Sequence, residues 1–246
     1  MRLILRGPGG LPVDVKRTRR KRTVGIAVED RRVKIYAPKW VALREIQEII
    51  QKRAPWIDRQ VQLQAALPTV PPRLFVDGEH LPFLGRQYTL RVEVASKPSV
   101  ALDGDQIAVA IEPEDGTLPF AGSEFLAGRA DEVRDQLMDW YQAQAEDTLT
   151  EATDRYSDQL GVVPSAISVR HYSSQWGSCS ISGHIRLNRR IIFAGRQIAE
   201  YVVAHEVSHL KHHNHSRRFW DCVEELDADF REHRDWLREH GSTLNI

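Results

Sequence analysis

The stretch AHEVSHLKHHNHSRRFW, Ala204 to Trp220, carries five of the chain's ten histidines. His205 and His209 are four residues apart, so on an α-helix their imidazoles share one face. That spacing lets both reach a single zinc ion at about 2.0–2.1 Å. Glu206 is offset around the helix and stands beside such an ion rather than on it, within reach of a water there. This is the H-E-x-x-H arrangement of a zinc hydrolase. Tyr201, Val202, Val203 and Ala204 make an apolar lead-in. The helix is therefore at least half in the core, where a buried His or Glu needs a partner.

A catalytic zinc takes three protein ligands and keeps one position open. The candidates for the third are His212, His213, His215, Glu224, Glu225 and Asp227. His212 shares a face with His205, but on a straight helix it sits about 10 Å further along the axis, too far to meet the same ion. His215 follows Asn214, a residue that tolerates the left-handed conformation ending many helices. A turn there swings His215 back towards the ion. Glu224, Glu225 or Asp227 can arrive from the next helix instead, giving a site of two histidines and one acid.

Upstream, AISVRHY and HIRLN read as short strands on either side of SSQWGSCSISG. Trp176, Gly177, Ser178 and Cys179 form a tight turn with Trp176 packed over it, or a loop facing the zinc with Ser178 or a backbone N–H on the substrate. As a fourth ligand, Cys179 would close the site and end hydrolysis. His171 and Tyr172 stand at a strand end, where a group polarising the substrate carbonyl can sit. HIRLN reads as an exposed edge strand that an extended peptide can join. Residues 197–213 and 216–239 read as two helices, with Phe219 and Trp220 anchoring the second in the core.

Further out, Ser123 caps a long helix ending at Gly161. Leu126, Ala130, Val133, Leu137, Tyr141, Ala145, Leu149, Ala152, Tyr156 and Leu160 keep helical spacing in it. RLFVDGEHLPFLGRQYTLRVEV reads as a hairpin turning at Asp77-Gly78, and LDGDQIAVAI as another turning at Asp103-Gly104. At the front, TVGIAVED and RRVKIYAP alternate at period two around Glu29-Asp30-Arg31. Pro38 ends the second strand. A helix over Val41, Ile46, Ile49, Ile50 and Trp56 follows, which Pro55 kinks or restarts. PTVPP, Pro68 to Pro72, reads as a stiff linker. The fold class is α+β. Residues 1–70 form a basic strand-and-helix region, and 71–246 hold hairpins followed by a catalytic part over about 123–240.

The chain has 246 residues with 34 basic against 34 acidic, but the charge is unevenly spread. Residues 1–60 hold 16 basic and 6 acidic residues, whereas 101–160 hold 3 basic and 15 acidic. Such runs are solvated faces that attract one another, or a basic arm, including Arg17 to Arg22, for a partner such as nucleic acid. No apolar run approaches the ~18 residues of a membrane span, nor does the N-terminus carry the apolar stretch of a signal peptide. Two cysteines make no disulfide framework. A cytoplasmic setting without membrane contact is the expectation.

HEVSHLKHHNHSRRFW, with QWGSCSISGHIRLNRRIIFA before it, resembles the YgjP-like metallopeptidases, relatives of the SprT-like zinc proteases. Arg19-Arg20-Lys21-Arg22, YAPKW, Trp56-Ile57 and FVDGEHLPFLGRQYTLRV extend the resemblance over nearly the whole chain, more weakly at 95–165. It implies that His205, His209 and His215 bind one zinc and that Glu206 is the catalytic acid and base. It also implies a zincin-like core: a long backing helix, a small sheet, the active-site helix and a closing helix. The expected function is peptide-bond hydrolysis by a zinc metallopeptidase acting on protein or peptide. The alternative is a catalytically weak or latent zincin-like module that binds protein or nucleic acid. An intact Glu206 favours the peptidase, because a pure binding module has no use for that carboxylate.

Overall fold

The computed structural model describes residues 5–19, 23–29, 32–66, 73–113, 128–172 and 175–246. The chain divides into two compact units, Met1–Thr69 and Val70–Ile246. The expected linker Pro68–Pro72 lies outside the described residues, as do Arg20 to Arg22, Asp30-Arg31 of the first turn, and Ser123, but the long helix begins at Ala130 with Arg129 and not Ser123 at its N-cap. Among the described residues there are six α-helices and three small sheets, a mixed α+β chain. None of these helices is long and apolar enough to cross a membrane.

The first unit is a three-stranded sheet with two helices. Strands β1 (Val13–Thr18), β2 (Gly25–Glu29) and β3 (Arg32–Pro38) are ordered β1-β3-β2, with β1 parallel and β2 antiparallel to the centre. β1 has no counterpart in the sequence reading. Its charged residues mask the alternation, and Arg17, expected on a solvated edge, instead donates to the carbonyls of Pro38 and Val41. Helices α1 (Leu43–Lys52) and α2 (Ala54–Ala66) are separate, with Pro55 in the first turn of the second. Ile46, Ile50 and Ile57 pack on Val33, Ile35 and Ala37 to form this unit's core.

The second unit opens with strands β4 (His80–Phe83), β5 (Arg86–Val94), β6 (Ser99–Asp103) and β7 (Gln106–Ile111), ordered β4-β5-β7-β6. β6 and β7 turn at Gly104 as expected. The first hairpin turns at Leu84-Gly85, however, and not at Asp77-Gly78. The Asp77 carboxylate accepts from the Val92 amide at 2.8 Å and the Gly78 amide donates to Leu90 O. Asp77-Gly78 therefore hooks onto the side of β5 instead of joining two strands.

Helix α3 (Ala130–Leu160) is 31 residues, about 46 Å long. Its buried face runs Val133, Leu137, Tyr141, Ala145, Leu149, Ala152, Tyr156 and Leu160, the periodic positions of the sequence. Gly161 ends it in the left-handed conformation, φ 64°. The third sheet is β8 (Ala166–Arg170), β9 (Gly177–Cys179) and β10 (His184–Asn188), ordered β8-β10-β9. HIRLN is thus the central strand and not an edge, because Gly177–Cys179 forms a third strand that pairs antiparallel with it.

Helix α4 (Arg196–Ser208) follows, then α5 (Arg217–Leu226) and α6 (Phe230–His240). The helix expected over 216–239 is two. Asp227 leaves helical geometry at φ −143°, and its carboxylate accepts from the Asp229 amide and pairs with His233 at 2.8 Å. A short acidic side chain that bonds nearby groups in this way competes with helix continuation. α4 packs against α3, α5, α6 and the third sheet. It buries residues on nearly every side, as its apolar composition requires.

Candidate metal centre

His205 lies in the last turn of α4 and His209 is its C-terminal cap. The helix stops at Ser208 and does not run to 213. The amides of Leu210, Lys211 and His212 close short turns onto Val207 and Ser208 carbonyls. The left-handed residue expected at Asn214 is absent, since the non-glycine residues at positive φ are Phe75 and Leu84. Asn214 instead accepts from the Ser216 amide through its side chain. The reversal is made by another route, and it leaves His215 facing His205.

The three imidazole rings form a near-equilateral triangle with centroid separations of 5.0, 5.0 and 4.9 Å. One nitrogen from each lies within 4.8 Å of the others. Nε2 of His205 and Nε2 of His215 are 3.1 Å apart. Two nitrogens bound tetrahedrally to one zinc at about 2.05 Å lie about 3.3 Å apart, so this spacing fits a shared ion. His209 Nδ1 meets the His212 carbonyl at 3.0 Å, which turns its Nε2 towards the others. Burial, and then its neighbours His209 and His215, push His205 down to about 3, which keeps its lone pair free at neutral pH.

Phe219 is fully buried beneath the triangle, 4.9, 4.5 and 4.8 Å from the three rings. Trp220 stacks on His215. These residues do anchor α5, but they also floor and wall the centre. The sequence hint was positional: Phe219 stands one helical turn beyond His215. The alternative acidic ligands lie elsewhere. Glu224 pairs with Arg231 at 2.8 Å and Asp227 with His233, and Glu225 is outside the group of side chains that converge. The three histidines are the metal-competent group among the described residues, and Cys179 is outside it.

Glu206 is 5% exposed and its Oε2 has no hydrogen-bond partner. Burial pushes its carboxyl up to about 8, and a cation beside it would draw that value back down. Its neighbour is the backbone of β9: a Cβ at Gly177 would lie 2.6 Å from both Cγ and Oε1 of Glu206. Gly177 is therefore glycine for close approach. We expect Gly177→Ala to displace the carboxylate and cost about 1–3 kcal/mol, the usual toll of overpacking. Denaturant unfolding and metal analysis together check this: stability should fall while the three-histidine group still binds metal.

The remaining sequence candidates divide. Cys179 lies near Glu206, and burial first and then that carboxylate raise its thiol. The Ser178 hydroxyl accepts from Gln175 at 3.2 Å. Exposed His171, half-buried Tyr172 and Trp176 gather around Asn188 and Arg190, outside the histidine group. Buried Asn188, which the sequence reading passed over, clamps that loop. Its Nδ2 donates to the carbonyls of Tyr172 at 2.7 Å and Gln175 at 2.9 Å, and its backbone N–H to Trp176 O.

Compared with known families, the sequence matches the model of the YgjP-like metallopeptidase domain over residues 22–240. No curated protein matches it. Among solved structures, the crystal structure of the metallopeptidase zymogen of Pyrococcus abyssi abylysin aligns with 38% of this chain and 93% of its own, at 23% identity and a TM-score of 0.34.

Proposed function

The chain belongs to the YgjP-like metallopeptidase family, and from that membership we propose that it hydrolyses peptide bonds with one zinc ion held by His205, His209 and His215 and with Glu206 as general base and acid. The observation that carries this reading is the convergence of three imidazole nitrogens within 4.8 Å beside a buried carboxylate oxygen that no protein group satisfies. Bound there, zinc supplies Lewis acidity, which brings a water's pKa near 7 and polarises a carbonyl.

The chain's own residues do the rest. Glu206 takes the proton of the attacking water and returns it to the amine nitrogen as the C–N bond breaks. The His212 carbonyl holds the His209 ring in orientation. Phe219 keeps water from the back of the triangle. β9 pairs only with β10 among the described residues, which supports an extended substrate joining the free edge of β9 in place of HIRLN.

The arrangement of α3 as backing helix, β8-β10-β9 as the small sheet, α4 as active-site helix and α5 as closing helix supports a zincin-like core akin to the SprT-like proteases. The excess of basic residues over 1–60 supports, as a second reading, a salt-sensitive contact with nucleic acid. Two free cysteines fit a reducing, cytoplasmic setting.

The test of the main reading is metal removal. A chelated chain should stop cleaving a mixed peptide library, and one equivalent of zinc per chain should restore cleavage. Cleavage that survives complete removal of metal would overturn the reading.

A further inference from the structure

Trp176, the residue before Gly177, opens on a cavity of about 350 Å³ lined also by Tyr172, Gln175, Arg190, Arg238 and Ser242. Arg190 is its half-buried charge. Its Nε donates to the Leu244 carbonyl at 2.8 Å, and its guanidinium lies over the Trp176 ring, 5.3 Å from the centroid. His171 is a further neighbour of its charge, and among the described residues no carboxylate pairs with the guanidinium. Arg238, in the same cavity, has Asp235 at 3.0 Å and Glu239 at 3.7 Å. A guanidinium drawn partly out of water without an anion is unfavourable. With Nε committed, its two terminal nitrogens form the fork that takes a carboxylate end-on.

The cavity is built before any ligand arrives. Asn188 ties the carbonyls of Tyr172 and Gln175 to the end of β10, which fixes the wall that carries Trp176. Gly241 packs so closely on the Trp176 ring that a Cβ there would lie 3.0 Å from it. Along the chain, the cavity lies one residue from the cradle of Glu206. Trp176 and Gly177 have Cα atoms about 3.8 Å apart, and Gly177 touches Glu206. A peptide lying along β9 with its scissile bond beside Glu206 can set the group of a nearby residue into this cavity.

We propose that the cavity is a subsite for a carboxylate of the substrate peptide, gripped by Arg190 against Trp176. The inference rests on the peptidase reading above and gives it a substrate class: peptides with an acidic residue, or a free C-terminus, close to the cleaved bond. Both sources offer the same carboxylate.

The test uses the zinc-loaded full chain and a peptide set in which Glu replaces Gln at one position at a time, each peptide with a free or an amidated C-terminus. Either the kcat/KM ratio of the Glu to the Gln peptide at one position, or that of the free to the amidated form, should be about 10–100, the range of a charge-assisted hydrogen-bonded pair. That ratio should fall to near one in Arg190→Gln and keep an intermediate value in Arg190→Lys. A preference for the free over the amidated form marks the C-terminus as the carboxylate; a Glu-over-Gln preference that survives amidation marks a side chain. The absence of both preferences overturns the proposal, and so does a preference that persists in folded Arg190→Gln. An equal loss on Glu and Gln peptides also overturns it, since that marks a merely structural arginine. Should Arg190→Gln fail to fold, a ratio lowered by Arg190→Lys upholds the subsite and an unchanged one overturns it. If the native chain cleaves nothing, the peptidase reading fails by itself. The subsite is then decided by calorimetric titration of the same peptides: tighter binding of the Glu peptide, or of the free over the amidated form, that depends on Arg190 upholds it, and equal binding of all forms overturns it.

Discussion

Glu206→Gln is expected to lower peptide cleavage by about 10²–10⁴, the contribution of a positioned general base, while the chain keeps its fold and its metal. The side chain is buried and touches the Gly177 backbone, so only an isosteric change leaves the packing intact. Gln has the same shape and cannot take the proton. The three imidazole nitrogens converge without any help from Glu206, so metal content should match that of the native chain. Rates on the peptide library and metal analysis of the same sample decide the matter together. Loss of metal would make Glu206 structural. Unchanged cleavage would place the base elsewhere.

His215→Ala is expected to weaken zinc binding by more than the about 10–100-fold typical of losing an outer-shell partner. His212→Ala and His213→Ala should stay near the native affinity. The contrast is sharp because the five histidines sit so close in sequence. His212 contributes to the centre through its carbonyl, which His209 Nδ1 meets at 3.0 Å, and any residue supplies a carbonyl. The His213 side chain is exposed and outside the converging group. Competition against a zinc chelator measures all three variants on one scale. Equal losses would refute the ligand assignment.

The parts of the site that were legible in the sequence are those set by local geometry. The four-residue spacing of His205 and His209 fixes a shared helix face whatever surrounds it. The long helix α3 was legible for the same reason: a 3.6-residue period kept over 31 residues leaves little room for another reading. What the sequence hid depends on contacts between distant segments. Asp77-Gly78 has the better turn chemistry, yet the hairpin turns at Leu84-Gly85, with Leu84 at φ 44° and Gly85 at φ 81°. Tertiary contacts impose that choice. The Leu84 amide donates to Ile192 O at 2.8 Å, and Gly85 approaches Gly195 so closely that a Cβ would lie 2.8 Å from its Cα. The Gly177 approach to Glu206 and the Phe219 floor are hidden for the same reason. The end of α4 was misplaced because the apolar and histidine pattern continues past Ser208, while the turns that stop the helix are made by backbone groups that any sequence has.

The centre is assembled from pieces of very different reach. His205 and His215 are ten residues apart, so closing that loop carries a small entropy cost and calls for little of the rest of the molecule. The cradle of Glu206 is another matter, because Gly177 belongs to a strand that exists only once β10 has paired with it. Long-range pairing of this kind is slower to form, and an edge strand is among the first elements to open. Metal capture and catalytic competence therefore belong to different cooperative units. On the proposed reading, a chain in which β9 has peeled away would still hold its ion, while Glu206, carried by α4, would have lost the backbone that seats it. Amide exchange should find the 177–179 segment opening more readily than α4, and on the proposed reading the stability of three residues at a sheet edge then governs how often Glu206 is unseated while the histidines stay together.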